Sequence, residues 1–225
     1  IVALIEELEE PRLLLVRGRE VVASAAAATL QQTLDPAERV GAFQGPPKTL
    51  TLGGPQNPGF LVTVANVGDS RGTLLHSEGS FTLLSRDHKP TAPEELRRIK
   101  KAGGFVSAGP TSVPRVDGIL ALSRAFGDGF FKDNKDLSPT EQRVVAVPDV
   151  HVFYAKPGDV MMLACDGVYE PENMDWVFVS HFVMTLLHEL QNDLTEAAVK
   201  LLEQAFHSFS GDNISVLLTR FAARV

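Results

Sequence analysis

The chain has 225 residues, 44% hydrophobic and 22% charged, which is enough apolar material for a sizeable core and rules out disordered or collagen-like classes. Its 21 basic and 28 acidic residues give a formal net charge of −7, the wrong footprint for a nucleic-acid binder. One cysteine excludes an internal disulfide and points to a reducing compartment, the cytoplasm with the nucleus also open. The longest apolar stretch, Val21 to Leu30, is too short to span a bilayer, and no signal peptide is visible, so no membrane partner is expected. The chain opens Ile-Val-Ala-Leu-Ile without methionine, so the expectation is that this is not a natural N-terminus.

Residues Ala3 to Glu10 favour a helix that Pro11 ends. Glu20 to Leu34, rich in alanine and stopped before Asp35-Pro36, is a second helix candidate. Gly45 to Gly59, with four prolines and four glycines, reads as a loop. Phe60 to Val67 (FLVTVANV) then reads as a buried strand. Gly72 to His76 and Phe81 to Ser85 form a hairpin pattern around Ser77-Glu78-Gly79. Thr91-Ala-Pro-Glu94 opens a helix, with Thr91 as cap, Pro93 in the first turn and Glu94 completing a capping box; Gly103-Gly104 closes it. Strands are predicted at Val150 to Tyr154 and Val160 to Cys165, helices near Trp176 to Leu190 and Thr195 to Phe206, and a last strand at Ile214 to Phe221. Strands and helices segregate rather than alternate, which indicates an α+β fold.

Three aspartates stand at strand ends. Asp69 follows FLVTVANV, Asp166 follows VMMLAC, and Asp212 precedes ISVLLTRF. Carboxylates held rigidly at one sheet edge, without His or Cys partners, suit Mg²⁺ or Mn²⁺ rather than Zn²⁺. Such ions orient and neutralise a phosphate and make water nucleophilic near neutral pH. Turn chemistry alone also explains an Asp beside Gly, because its side chain bonds to nearby backbone. The residues by themselves leave both readings open.

Seven segments occur in order: VANVGDSRG (Val64 to Gly72), SRDHKP (Ser85 to Pro90), EELRRIKKAGGFV (Glu94 to Val106), RVDGILALSRAFGD (Arg115 to Asp128), VPDV (Val147 to Val150), PGDVMMLACDGVYE (Pro157 to Glu170) and SGDNISVLL (Ser210 to Leu218). Together they resemble the metal-dependent protein phosphatases, the protein phosphatase 2C family. The resemblance implies a single domain over residues 1–225: a four-layer α-β-β-α sandwich of two antiparallel sheets flanked by helices. It implies that Asp166 and Asp212 are metal ligands, that Asp69 helps hold a further, weaker ion, and that two or more Mg²⁺ or Mn²⁺ ions are bound. It also implies phosphoprotein substrates, attack on phosphoserine or phosphothreonine by a metal-activated water without a phosphoenzyme, and a monomer.

The sequence departs from the family in one respect. The family's Asp-Gly-His-Gly run, which carries a bridging aspartate and the proposed general-acid histidine, is absent, as is the upstream phosphate-gripping arginine. The Asp-Gly pairs here, at Asp117, Asp128 and Asp166, are followed by Ile119, Phe130 and Val168. Either this chain lacks the domain's N-terminal segment, or the protein is a catalytically inactive scaffold that binds a signalling partner. Retention of Asp166 and Asp212 favours the first, since crowded carboxylates repel unless a cation lies between them. The 225-residue chain alone is expected to show little or no activity.

Arg124 and Arg71 suit phosphate contact, but pairing with buried acids is the expectation for both. Asp128 reads as a turn residue, and Asn213 as a residue that orients Asp212. None of the six histidines has ligand spacing. Cys165 reads as a small hydrophobe in a buried strand, Ser70 and Ser123 have no base partner, and Arg97 to Lys101 reads as a solvated basic face.

Overall fold

The computed structural model describes residues 1–9, 12–17, 20–23, 48–54, 56–107 and 113–222. The chain divides into two compact units. The first comprises Ile1–Ala65, Arg71–Ser85 and Val150–Val225, and the second Asn66–Ser70 and Arg86–Asp149.

Among the described residues, ten strands form the two sheets of the first unit: β1 (Val2–Glu7), β2 (Arg12–Arg17), β3 (Glu20–Ala23), β4 (Lys48–Leu52), β5 (Phe60–Asn66), β6 (Arg71–Leu75), β7 (Phe81–Leu83), β10 (Asp149–Ala155), β11 (Val160–Ala164) and β12 (Val216–Arg220). One sheet has the order β1-β5-β10-β3-β2-β4 and the other β12-β11-β6-β7. The period of two along each strand distributes side chains between the layers. Phe60, Val62 and Val64 of β5 and Phe153 and Ala155 of β10 meet Leu74 of β6, Met161 of β11, Leu84 and Phe221 in one core. The alternate residues Leu61, Val152 and Tyr154 join Leu8 and Leu52 in a separate cluster. On the other sheet, Leu75, Val160, Met162 and Ala164 pack against two helices, α2 (Trp176–Glu189) and α3 (Leu194–His207), through Val179, Val183, Ala197, Leu201 and Ala205. The fold is thus α+β with antiparallel pairings and helices over the four-stranded sheet. No helix against the Leu61 cluster is among the described residues.

Three expectations for the N-terminal third change. Val2–Glu7 is not helical but pairs antiparallel with β5, from Val2↔Ala65 to Glu7↔Phe60. Helix propensity over so short a run is a weak force, and the buried neighbouring strand overrides it. Glu20–Ala23 is likewise a strand, paired with β2 and, at Glu20↔Phe153, with β10; its Val21-Val22 pair suits a strand. The remainder of that helix candidate, residues 24–34, lies outside the described residues. Within the expected loop Gly45 to Gly59, Lys48–Leu52 pairs with β2 from Arg12↔Leu52 to Val16↔Lys48. The prolines and glycines on either side hide the alternation of KTLTL.

The second unit is built on α1 (Pro93–Lys101) and a short ladder of β8 (Val106–Ser107) and β9 (Arg115–Val116). Ile99, Val116, Phe131 and Val144 form its apolar centre. The N-cap of α1 is Ala92, without a side-chain cap, rather than Thr91. Glu94 pairs with Arg86 at 2.7 Å, so no capping box forms. Its C-terminus follows expectation. Gly103, with φ +84, donates to Lys100 O and Gly104 donates to Ile99 O, which is the Schellman arrangement.

Beside that centre lies a network of charges. Arg124 donates to Glu95 Oε1 at 2.7 and 2.9 Å and to Asp149 Oδ1 at 2.8 Å. Arg98 pairs with Glu95 Oε2 at 2.7 Å and donates to Ser123 O and Gln142 O, so it is not part of a solvated basic face. His88 Nδ1 accepts from Gly68 N–H at 3.0 Å, which leaves its proton on Nε2, 3.2 Å from Asp149 Oδ2. Burial pushes the Asp149 carboxyl up, and hydrogen bonding to His88 and the charges of Arg124 and Arg86 outweigh it, bringing it down from 3.8 to about 2.

Helix α3 ends on the same motif as α1, with Phe209 donating to Phe206 O and Ser210 to Ala205 O. Here the left-handed position, φ +66, holds Phe209, which is 93% exposed. An L-residue there costs about 1 kcal/mol, and burial of the ring does not offset it. Phe209→Gly is therefore expected to stabilise the fold by about 1 kcal/mol, read as a higher denaturation midpoint; a lower midpoint would contradict this. Among the described residues no helix is long and apolar enough to cross a membrane.

Candidate metal centre

Strands β11 and β12 run antiparallel in register from Val160↔Arg220 to Ala164↔Val216. The chain leaving β11 and the chain entering β12 therefore meet at one end of the four-stranded sheet. Past Ala164 the backbone turns through a short 3-10 segment, Asp166–Val168. The incoming strand is preceded by Ser210-Gly211-Asp212-Asn213.

The two segments are joined by hydrogen bonds. Cys165 N–H donates to Ser215 O at 3.1 Å, Ser215 N–H donates to Cys165 Sγ at 3.1 Å, and the thiol lies 3.1 Å from Asn213 O. Cys165 is thus a half-buried joint just past the end of β11, not a buried strand residue. Ser210 Oγ donates to Gly167 O at 2.7 Å. Glu170 Oε2 accepts from Gly211 N–H at 2.6 Å and lies 3.0 Å from Ser210 Oγ.

Gly167 makes the approach possible. A Cβ built on it would lie 2.2 Å from Asn213 O and 3.4 Å from Asp212 Cβ. Gly167→Ala would force two backbones apart, because a carbonyl cannot swing aside as a side-chain tip can. It is expected to cost about 1–3 kcal/mol in stability, measurable by chemical denaturation, and an unchanged midpoint would contradict the tight contact.

Asp166 and Asp212 consequently sit on touching loops, and both are exposed. Asp212 Oδ1 accepts from Asn213 N–H at 2.6 Å, so Asn213 orients this carboxylate through its backbone. The donor set consists of oxygens alone, as hard divalent cations require, and Mg²⁺ is commonly held by one or two carboxylates with waters completing its shell. These residues fit such an ion. Among the described residues no group of three or more His, Cys, Asp or Glu is placed to hold a metal ion.

Asp69 belongs to the second unit. There it forms an ion pair with Lys89, whose ammonium also lies 4.0 Å from Asp87 Oδ2. The structure thus brings Asp166 and Asp212 together and gives Asp69 an ammonium partner.

Arg71, at the start of β6, pairs in register with Ala164 and stands at the same sheet end as Asp166. Its guanidinium lies 4.6 Å from the Tyr169 ring centre and 4.8 Å from that of Trp176. Arg124 pairs with buried acids as expected. Asp128, with φ +52, caps the 3-10 turn Gly129–Lys132, in keeping with a turn role. Glu170 and Ser210 are parts of the site that sequence reasoning does not reach. Their contact spans 40 residues of sequence, and no local pattern signals it.

A family model described as protein phosphatase 2C matches residues 48–214. The chain is 39% identical over 169 residues to probable protein phosphatase 2C 6 of Paramecium tetraurelia, covering 72% of this chain and 54% of that protein. It is 40% identical over 167 residues to probable protein phosphatase 2C 60 of Arabidopsis thaliana, covering 70% and 43%. The chain therefore spans about half the length of these curated relatives. Among solved structures, a phosphatase from a pathogenic strain of Toxoplasma gondii superposes with a TM-score of 0.81 at 45% identity, covering 98% of this chain and 65% of that one.

Proposed function

The chain belongs to the protein phosphatase 2C family, and on that premise we propose that the complete natural protein is a Mg²⁺- or Mn²⁺-dependent protein serine/threonine phosphatase. The observation that carries this reading is the contact between the Asp166 turn and the Asp212 loop, made possible by Gly167. It places two exposed carboxylates on adjoining backbones at one end of a rigid strand pair. Such a pair is electrostatically unfavourable alone and favourable around a divalent cation.

Bound ions supply Lewis-acid polarisation of the phosphate ester and a water nucleophile near neutral pH. The chain's own residues fix geometry. Asp166 and Asp212 would hold two or more such ions with further oxygen ligands, and the Asn213 N–H fixes Asp212 Oδ1. Asp69, paired with Lys89 in the structure, would help hold a further and weaker ion. Substrates are phosphoproteins of the cytoplasm or nucleus, met by a monomer.

The test is release of phosphate from a phosphothreonine peptide by the complete protein. After dialysis against EDTA the rate is expected to fall to background, and added Mn²⁺ or Mg²⁺ restores it. A folded complete protein that releases no phosphate under any metal condition favours the alternative, an inactive phosphatase-like scaffold for a signalling partner.

A further inference from the structure

A cavity of about 450 Å³ opens at the far end of the four-stranded sheet from Asp166. Its floor is Leu75 of β6, Val160 of β11 and Leu187 of α2, all buried, with half-buried Met184 as one wall. Exposed Ser77, His188 and Asn192 stand at its mouth. Val160 pairs with Leu75, whereas Ala164, which leads into the Asp166 turn, pairs with Arg71. The length of β11, roughly 13 Å, thus separates the cavity from the candidate metal centre.

The lining decides what the cavity can hold. Its volume is in the range of small-molecule pockets, and an apolar floor beneath a few polar groups is their usual composition. No Asp, Glu, Lys or Arg is among the described lining residues, so a charged ligand would lose its water without gaining a counter-charge. The backbone offers no anion cradle either, because the amides around the mouth are already used. Ser77 N–H donates to Asp159 Oδ1 at 3.0 Å and Gly79 N–H to His76 O at 2.9 Å. Gly158 N–H donates to Phe221 O at 2.8 Å and Asn192 N–H to Leu187 O at 2.6 Å. These bonds also fix the mouth, so binding needs little further ordering. What the mouth offers a head group is the Ser77 hydroxyl, the His188 ring and the Asn192 amide, which between them both donate and accept.

We propose that this cavity is a binding site for a small uncharged molecule with a compact apolar body and one hydroxyl or amide head. The body rests on Leu75, Val160 and Leu187, and the head meets Asn192 and Ser77 at the mouth. The site needs no metal and shares no residue with the Asp166–Asp212 pair, so it stands apart from the phosphatase reading.

The probes are benzyl alcohol, toluene and benzoate, titrated at pH 8 in EDTA into the complete protein while the Met184 methyl resonance is followed. Benzyl alcohol is expected to shift that resonance saturably, with toluene about fivefold weaker and benzoate at least about tenfold weaker. Asn192 has φ +70, which glycine adopts freely, so Asn192→Gly removes the amide and keeps the backbone. In that variant benzyl alcohol should fall to the affinity of toluene, with toluene itself unchanged. Ser77→Trp sets an indole at the mouth from an exposed position and keeps the backbone bond to Asp159. It should abolish binding of both probes in a protein that still unfolds at the wild-type temperature. A Met184 resonance that no probe shifts saturably overturns the site. So does benzoate bound as tightly as benzyl alcohol, or a benzyl alcohol affinity that Asn192→Gly or a folded Ser77→Trp leaves unchanged.

Discussion

Replacing Asp166 or Asp212 by Asn is expected to lower metal-dependent turnover of the complete protein by at least about 100-fold, because removing a ligand exceeds the ten- to hundredfold effect of removing a ligand's supporting partner. The fold should survive both changes. Each side chain is exposed, Asn keeps its volume, and the Asp212 Oδ1 acceptor for Asn213 N–H is retained as an amide oxygen. In EDTA the variants should unfold at the same temperature as wild type or slightly above it, since one of two neighbouring negative charges is gone. Kinetics of phosphopeptide hydrolysis alongside thermal unfolding in chelator reads both effects. Full turnover in either variant would remove that carboxylate from the chemistry, and a large loss of stability would make its role structural.

The second large effect lies in the charge network of the second unit. Glu95 has a side chain only 1% exposed, and Arg124 gives it two hydrogen bonds while reaching Asp149 with another nitrogen. Removing one partner of a buried ion pair costs about 3–5 kcal/mol, because the remaining charge has already lost its water. Arg124→Ala is therefore expected to destabilise the protein by about that amount, enough to consume much of the stability of a typical domain. Chemical denaturation measures it, and a change below about 1 kcal/mol would contradict the account.

The same network fixes a pH dependence. Asp149 titrates lower in the folded protein, near 2, than its ordinary value of 3.8. Its contribution to stability is thus complete above about pH 4 and is lost as pH falls toward 2. The size is about 2 kcal/mol. In Arg124→Ala this acid-dependent loss should shrink, because one of the charges that hold the carboxyl down is gone.

How much of this is legible in the sequence depends on where the stabilising contacts lie. Strands β5, β10 and β11 can be read from their apolar runs, and α2 and α3 from periodicity, because their cores repeat at the period of the element itself. The first strands cannot. The run Val2–Glu7 has the composition of a helix, and its conformation is set by pairing with β5, about sixty residues away. The C-terminus of α1 is readable because Gly103 adopts a conformation that favours glycine, whereas its N-cap is not. Glu94, the acid that a capping box would use, is drawn to Arg86 instead.

At the site, Asp166 and Asp212 are visible as aspartates closing and opening apolar runs. Antiparallel pairing of β11 with β12 brings those two run ends together. Glu170 is invisible because its partners, Ser210 and Gly211, carry no charge and lie across a tertiary contact. Arg98 misleads for a related reason. A run of basic residues looks solvated until the fold turns one of them inward to Glu95.

The Asp166 turn and the Asp212 loop are proposed to hold a divalent cation together, and the proposed phosphatase activity depends on that. The most direct test is calorimetric titration of Mn²⁺ into the metal-free complete protein, wild type beside the Asp166→Asn/Asp212→Asn double variant. A saturable binding isotherm is expected in the wild type that is lost, or weakened by at least about 100-fold, in the double variant. Superimposable isotherms from two folded proteins would contradict it.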